Sequence, residues 1–507
     1  MTTRPIIDLV VIGGGINGIG IAADAAGRGL QVTLCEQSDL ASGTSSASSK
    51  FFHGGLRYLE NFEFELVHRS LQERNILLER APCLVTPREF VIPHHSGRRP
   101  QWLIKLGLFL QDKLGGKKLE PANKLSLKDH LQGLPLKTEF DIGHLYSDCT
   151  GDDARLVILN ALLAKEKGAH ILGRHKVLNA KRTESYWEVE VQNLLDHSKK
   201  SILCKTLINA TGPWTNQFLS NSIKSNSRCR VKLSKGSHII VPKLYDGEHA
   251  YILQNEDNHL ICVIPFEHDY SLIGATDMVH EGPPEPQSIT REEEIYLCQA
   301  VSDYFKKPIN IGDIIWSYSG LRPIYDDSCH DSDTACHDYL LDFDCPDGHS
   351  PLINIFGGRL TTYRRVAEQV LDLIAPYLDE PGEPWTSDAP LPGNQLNQCD
   401  IPALQQELKL AYPWLPEKLQ KRLVASYGTL SLQILKNANQ AEDLGECFSP
   451  LFYEAEAEYL INQEWAMTPD DILWRRTKLG LHLTKQEQSH FKQWFSKKHP
   501  EYNALYM

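Results

Sequence analysis

Long apolar runs are missing from this 507-residue chain: no uncharged apolar stretch approaches the ~18–20 residues that span a membrane. An excess of positive charge is missing as well. Lys and Arg total 52 against 65 Asp and Glu, a net charge of −13, which argues against general nucleic-acid binding and leaves room only for a local basic patch. The 12 cysteines contain no Cys-x-x-Cys pair, so neither a zinc ribbon nor a disulfide framework is expected; reduced thiols of a cytoplasmic protein fit better. Met1-Thr2-Thr3-Arg4-Pro5 runs straight into a strand-like segment and leaves no space for a signal peptide. No internal repeat is visible. What is present is a soluble globular composition, 41 % hydrophobic and 23 % charged. It excludes disorder, collagen and a disulfide mini-protein, and the length suggests two to four domains at roughly 150 residues each.

Ile6 to Ile12 is apolar except for Asp8 and leads directly into Gly13-Gly14-Gly15-Ile16-Asn17-Gly18. An Ala- and Ile-rich helix from Ile19 to Arg28 and a strand from Leu30 to Cys35 follow, ending at Glu36 and Gln37. This is strand, G-x-G-x-x-G, helix, strand, acid. Gly13 permits the tight turn, Gly15 the close approach of a pyrophosphate, and Gly18 the packing of helix on strand. The helix N-terminus offers free N–H groups and a positive dipole end to phosphates. Glu36 is placed to accept hydrogen bonds from an adenosine ribose. The fingerprint does not separate FAD from NAD, but its position at the opening of the chain favours FAD. A second element, Leu207 to Trp214, is a strand running into a small-residue turn at Ala210-Thr211-Gly212, suited to backbone passing close to an adenine dinucleotide.

Between Leu40 and Tyr58 lies a Ser/Thr-rich loop containing Thr44, Ser45, Ser46, Ser49 and Lys50, whose hydroxyls suit phosphate and ribitol oxygens. It ends at His53-Gly54-Gly55-Leu56-Arg57-Tyr58, where the glycine pair would let backbone lie against a flat ring. This stretch resembles the FAD-dependent glycerol-3-phosphate dehydrogenases of the D-amino acid oxidase-like flavoproteins. So do Lys235-Gly236-Ser237-His238, Gly320-Leu321-Arg322-Pro323, Gly357-Gly358-Arg359-Leu360-Thr361-Thr362-Tyr363-Arg364 and Leu473-Trp474-Arg475-Arg476-Thr477-Lys478, in the family's order. Two departures stand out. Arg359 replaces the family's usual lysine; it keeps the charge but is a poor proton-transfer group. Ala275-Thr276-Asp277 replaces Thr-Thr-Asp.

The resemblance implies an α/β chain: a Rossmann-like FAD-binding domain, an antiparallel-sheet substrate (cap) domain and an all-helical C-terminal domain. The flavin domain is expected to be discontinuous (1–80, 150–230 and 350–380), with the cap in 81–149 and 231–349. His238–Val241, Ala250–Gln254, Leu260–Pro265 and Tyr270–Ala275 read as an antiparallel meander. Pro381, Pro384, Pro390 and Pro392 signal a linker, and 393–507 has helical periodicity. The turn Gly357-Gly358 with Leu360 and Thr361 again points helix N–H groups inward, toward the flavin.

The reaction implied is hydride transfer from C2 of sn-glycerol 3-phosphate to a non-covalent FAD, giving dihydroxyacetone phosphate. Arg57, Arg322 and Arg359 come from separate segments. Three guanidiniums in one pocket call for an anion, and a phosphate ester is the natural one, although single arginines more often serve salt bridges. His53 and His238 are the proton-transfer candidates, against the more common structural role of a lone histidine. Tyr58 and Thr276 would add hydrogen bonds, and Asp277 would orient a neighbour. Which residue takes the proton stays open.

By resemblance the electron acceptor is ubiquinone or another membrane quinone, with a peripheral location on the cytoplasmic side of the inner membrane and a role in glycerol metabolism and respiratory electron transfer. One local feature agrees. Between Arg98 and Lys118 stand Arg98, Arg99, Lys105, Lys113, Lys117 and Lys118 against the single acid Asp112, with Trp102, Leu103, Leu106, Phe109, Leu110 and Leu114 able to line one helical face. That suits an anionic bilayer surface, or alternatively an ordinary cap helix with a solvated rim. Cys329, His330, Cys336, His337 and Cys345 match no zinc module, so no metal is expected. A soluble oxidase passing electrons to oxygen and a non-catalytic flavoprotein remain the competing readings, and the oligomeric state, a homodimer included, stays open.

Overall fold

The computed structural model describes residues 5–55, 58–59, 62–95, 99–116, 118–224, 227, 229–255, 257–326, 338–395 and 401–506. In chain order it begins β1 (Ile6–Ile12), α1 (Ile16–Gly27), β2 (Val32–Cys35), β3 (Phe51–Phe52), α2 (Phe64–Arg80), β4 (Val85–His94), α3 (Gln101–Gly115), β5 (Asn123–Ser126), β6 (Ile142–Gly151) and α4 (Asp153–Glu166). It continues with β7 (His170–Leu172), β8 (His175–Arg182), β9 (Trp187–Asn193), β10 (Lys199–Asn209), α5 (Thr215–Phe218), β11 (Val231–Pro242), β12 (Ala250–Gln254), β13 (Leu260–Phe266), β14 (Tyr270–Gly274), β15 (Met278–His280), α6 (Arg291–Ser302) and β16 (Trp316–Tyr325). The last part holds β17 (Tyr339–Asp344), β18 (Leu352–Gly357), α7 (Tyr363–Ile374), α8 (Ile401–Ala411), α9 (Glu417–Tyr427), α10 (Ser431–Leu435), β19 (Cys447–Ser449), β20 (Phe452–Tyr453), α11 (Glu454–Glu464) and α12 (Lys485–Lys498).

Two sheets organise these elements. In the first, β18, β10, β1, β2 and β7 run parallel in that order; β17 and β9 add antiparallel partners, and β8 pairs with β9. β1 is central, so both of its faces are covered, which is why it reads as an almost unbroken apolar run. Its one acid, Asp8, accepts from Gln31 N and Lys205 Nζ at 2.9 Å each. α1 and α4 are buried nearly all round, as an Ala- or Leu-rich helix without a polar face must be. A Cβ at Gly18 would sit 2.0 Å from Gly13 O, so only glycine lets α1 close on the β1 turn. The second sheet follows the order β15-β11-β14-β13-β12-β4-β6-β3, with β16 on β11 and β5 on β6. β11, β14, β13 and β12 form the antiparallel meander anticipated from the sequence.

Three details differ from the sequence reading. β17, in the stretch assigned to the cap, belongs to the first sheet, while β3, in the stretch assigned to the flavin domain, pairs with β6 in the second. The Pro-rich stretch is a strap more than a linker: Trp385 Nε1 donates to Asp24 O at 3.1 Å, and Leu391 N donates to Arg80 O at 2.8 Å. The C-terminal helices carry one short hairpin, β19–β20.

Leu404, Leu408, Leu423, Val424, Tyr427 and Leu460 of the C-terminal part share one continuous core with α1, α4 and α7. Across that seam Arg155 Nη2 donates to Glu464 Oε1 at 3.0 Å, a second contact joins Nη1 to Oε2, and both side chains are buried. Glu464→Gln leaves Arg155 without its counter-charge. A loss of about 3–5 kcal/mol is expected, read as a lowered urea or thermal unfolding midpoint.

Candidate active site

The carboxyl ends of β1, β10 and β18 open onto one cavity of about 1000 Å3 that also reaches the second sheet. At its nucleotide end, Gly15 precedes α1 with no side-chain cap and no acid in the first turn; Ile16 N donates to Ser45 Oγ at 3.0 Å. The helix N-terminus therefore faces the cavity with no acid of its own in the first turn, and the carboxylate beside it is Glu36 on Gly14 N. Glu36 lines the cavity and also holds the glycine turn: its carboxylate accepts from Gly14 N and from Ser38 N at 2.6 Å each. Burial raises its pKa while these two N–H groups oppose the rise. Asn17 donates to Gly357 O at 3.4 Å, while its buried Oδ1 has no partner. Asn17 thus joins the first fingerprint to the Gly357-Gly358 turn.

Gly13, Gly15, Asn17, Glu36, Gln37, Thr44, Ser45 and Ser49 line this cavity, as do Ala210, Thr211, Gly212, Trp214, Gly357, Gly358, Leu360 and Thr361. Gly14, Gly18, Ser46, Lys50 and Gly54 do not. Gly14 and Gly18 shape the turn from behind. Lys50 points inward, donating to Ser46 O at 2.7 Å and to Asp153 Oδ1 at 2.5 Å, so it closes the loop on itself in place of meeting a ligand. Asp153 also accepts from Ser48 N at 3.0 Å and Ser48 Oγ at 2.7 Å.

The other end of the cavity gathers cations and imidazoles. Arg359 lies over the Tyr58 ring at 4.0 Å, and Arg322 Nη2 donates to the Tyr58 hydroxyl at 3.5 Å. The Arg359 Nε, Nη1 and Nη2 atoms are buried without a hydrogen bond, although Nε stands 3.0 Å from Asp338 Oδ1. Asp338 is itself fixed by Thr362 Oγ1, which donates to Oδ2 at 2.8 Å. Arg57 and Leu56 fall outside the described residues, as do Cys329, His330, Cys336 and His337.

His53 stacks on Phe51 at 4.4 Å; burial first, then the charges of Arg359 and Arg322, lower its pKa to about 3. His238 stacks on Tyr318 at 4.7 Å, and its Nε2 lies 2.9 Å from Ser49 Oγ. Its Nδ1 is buried and unpartnered, and burial, with Lys50 second, lowers its pKa to about 3 as well. Both rings are neutral at physiological pH. Thr276 differs from expectation. Its hydroxyl donates to Glu293 Oε1 at 2.8 Å and accepts from Ser237 N at 2.9 Å, so its single proton is taken inside the protein. Asp277 lines the cavity and accepts from Ser234 Oγ.

Sequence reasoning missed Asp338 and Glu293. Glu293 carried a readable signal, the Thr290-x-x-Glu293 capping box. The box did not reveal that the same carboxylate ties Lys235, at 2.7 Å, to Ser237 and Thr276 behind the cavity. Asp338 precedes β17 without any pattern to mark it.

A third part of the cavity is apolar. Ile92, Ile104, Leu108, Tyr146, Ile252 and Cys262 line it, and it extends along α3 to Leu103, Leu106 and Leu110. The six apolar α3 side chains expected on one face divide. Trp102, Leu106 and Phe109 are 65 %, 46 % and 55 % exposed, whereas Leu110 and Leu114 pack against the cluster of Leu59, Val67 and Leu71. The exposed three follow i, i+4, i+7 spacing beside Lys105 and Lys113. Among the described residues no helix is long and apolar enough to cross a membrane, and no group of three His, Cys, Asp or Glu is arranged to hold a metal.

Residues 8–364 match the family described as FAD dependent oxidoreductase, and residues 384–494 match the C-terminal domain of alpha-glycerophosphate oxidase. The chain is 46 % identical to a glycerol-3-phosphate dehydrogenase of Pseudomonas aeruginosa, covering 98 % of this chain and 96 % of that one. It is 45 % identical to a D-erythritol 1-phosphate dehydrogenase of Brucella abortus over 96 % and 97 % of the two chains. Among solved structures, the glycerol-3-phosphate dehydrogenase of Bacillus halodurans complexed with FAD superposes with a TM-score of 0.75 at 25 % identity, covering 99 % of this chain and 96 % of that one.

The two depressed histidines set an acid limit on stability. The unfolded chain binds protons on them near pH 6.5 and the folded one only near pH 3, so stability present above pH 6.5 falls as pH drops toward 3. Each histidine contributes a slope of up to about 1.4 kcal/mol per pH unit in that window. His53→Asn and His238→Asn should each flatten the decline in urea midpoint between pH 7 and pH 5; an unchanged slope would show that the rings are not held neutral.

Proposed function

The chain belongs to the FAD-dependent oxidoreductases, and we propose that it oxidises sn-glycerol 3-phosphate at C2 to dihydroxyacetone phosphate and delivers the electrons to a membrane quinone. One observation carries the reading: a buried Arg359 with its donors unmade, beside Arg322 and Tyr58, shares a cavity with a complete dinucleotide fingerprint. The cradle fits FAD. Gly13 to Asn17 with the open α1 N-terminus suit a pyrophosphate, Glu36 retains lone pairs for a ribose, and the orphaned Asn17 Oδ1 lies beside the Gly357-Gly358 turn. Bound there, FAD supplies the two-electron acceptor for the C2 hydrogen.

The residues do the rest. Arg359 and Arg322 present guanidinium forks that match a phosphate, and Asp338 holds Arg359 in place until the phosphate arrives. The positive field lowers the pKa of the C2 hydroxyl. The proton is assigned to His238, whose Nδ1 is buried without a partner; a bound dianion would oppose the burial and the Lys50 charge that depress its basicity, with the tautomer assigned so that Nε2–H donates to Ser49 Oγ. The names of the relatives, two enzymes of glycerol 3-phosphate and one of erythritol 1-phosphate, support a phosphorylated polyol as the substrate. A four-carbon polyol phosphate is the second reading, because the erythritol 1-phosphate enzyme is as similar as the glycerol 3-phosphate one.

The apolar arm of the cavity supports the quinone. It runs to α3, whose outward stripe of Trp102, Leu106 and Phe109 beside lysines suits the surface of an anionic bilayer. A peripheral attachment there would let a lipid-borne quinone reach the cofactor without leaving apolar surroundings.

The experiment is an anaerobic titration that follows the flavin spectrum. sn-Glycerol 3-phosphate should bleach the flavin stoichiometrically and an ubiquinone analogue should restore it. Bleaching only by D-erythritol 1-phosphate would move the substrate to the second reading. Rapid peroxide formation in air without quinone reduction would contradict the acceptor. Arg322→Ala should raise KM by about 10–100-fold, the worth of charge-assisted bonds to phosphate, while FAD stays bound; unchanged kinetics would refute the assignment. Replacing Trp102 and Phe109 together by Glu should abolish binding to phosphatidylglycerol vesicles with flavin reduction by the substrate intact, as measured by co-sedimentation.

A further inference from the structure

The motif Leu473 to Lys478 has no place in the chemistry above, yet Arg476, Thr477 and Lys478 are buried polar residues. Its first four residues lie in a π-helical turn, Asp471–Arg476, of the C-terminal part, and Thr477 and Lys478 follow it. Arg476 donates from Nη1 and Nη2 to both oxygens of Asp39, at 2.7 and 2.8 Å, and also to Glu464 O; Arg475 Nε donates to Asp39 Oδ2 at 2.5 Å. Burial pushes the Asp39 pKa up, but the two guanidiniums outweigh it and hold the carboxyl far below the usual range. Asp39 lies three residues after Glu36 and opens the loop that lines the nucleotide end of the cavity. On its other side Arg174 Nη2 donates to Asp471 at 3.1 Å while Arg174 N donates to Ser38 O at 3.2 Å.

The same turn reaches the far end of that loop. Lys478 Nζ donates to Asp152, the residue whose side chain caps α4. The next residue, Asp153, grips Ser48 and Lys50. From Trp474 a file of rings runs into the cavity. Trp474 stacks on Trp316 at 4.4 Å and 15°, Trp316 tilts against Tyr318 at 5.4 Å, and Tyr318 stacks on His238 at 4.7 Å and 16°. The Tyr318 hydroxyl donates to Ser48 O at 2.7 Å.

We propose that Trp474, Arg475, Arg476 and Lys478 are positioning residues of the C-terminal domain: they fix both ends of the cofactor loop through Asp39 and Asp152, and the face of His238 through Trp316 and Tyr318. Nothing in this requires a particular substrate; it rests on the FAD cavity alone. A loop so rich in Ser and Gly has little stiffness of its own, and a buried carboxylate held by one buried and one half-buried guanidinium supplies it from outside.

The test uses the full chain, stripped of flavin and titrated with FAD by fluorescence quenching. Arg476→Gln and Asp39→Asn should each weaken FAD binding by about tenfold or more, and the double variant should lose little beyond either single one. Trp474→Ala should change the visible circular dichroism of the bound flavin, and Trp474→Phe should restore it. If Arg476→Gln does not fold, Arg475→Gln gives the reading instead: that side chain is 21 % exposed and Arg476 remains on Asp39. FAD affinity within twofold of the parent in whichever of these arginine variants folds, with the flavin spectrum unchanged in Trp474→Ala, would overturn the proposal and leave the segment as a domain fastening only.

Discussion

A guanidinium buried with its hydrogen-bond donors unmade is the feature around which this site is arranged. An unsatisfied charged donor costs more than the ~1–3 kcal/mol of a neutral one. Arg359 carries three such nitrogens, offset in part by the Tyr58 ring face and by Asp338 at 3.0 Å. The surroundings respond to the same charge. His53 is held neutral by burial and by the two arginines, and the exposed Arg322 leans on the Tyr58 hydroxyl without closing on any carboxylate among the described residues. On the proposed function, a dianionic ligand would complete the hydrogen bonds that the protein leaves open. Binding energy would then be reserved for a phosphorylated substrate, since a neutral one would leave the same pocket uncompensated.

The sequence revealed the nucleotide half of the site well, because phosphate binding by backbone depends on glycine spacing that nothing else in the chain imitates. Gly13, Gly15, Glu36 and the Ala210 turn lie together as their spacing implied. The second half was harder to read. Arg322 and Arg359 sit 37 positions apart on strand β16 and beyond strand β18, and only the resemblance brought them together. Side-chain roles were the least readable. Lys50 and Thr276 stand in stretches that resemble the family's, which points them at ligands, whereas the structure gives their polar atoms internal partners, Asp153 and Glu293, with Thr276 still lining the cavity. Asp338 could not be found in advance, since a lone acid before a strand has no period. On α3 the composition announced an amphipathic helix, whereas the direction of its stripe depends on packing against α2 and β6, which periodicity alone does not fix.

The division into parts is less sharp than the linear reading suggested. The C-terminal helices do not hang from a linker. They share a core with α1, α4 and α7, and they send Arg476, Lys478 and Glu464 into the carboxylates and cations that surround the nucleotide loop. Cofactor cavity and C-terminal helices therefore share one hydrophobic core, while the second sheet contributes His238, Arg322 and the apolar arm as a wall facing it.

The proposed substrate selection rests on charge recognition of a phosphate. The decisive comparison is between the rates at which sn-glycerol 3-phosphate and unphosphorylated glycerol bleach the bound flavin in anaerobic stopped flow. The second-order rate constant for the phosphorylated polyol should be higher by about 10³-fold or more, the worth of two or three charge-assisted hydrogen bonds. Comparable rates for the two compounds would show that the guanidiniums do not select the substrate.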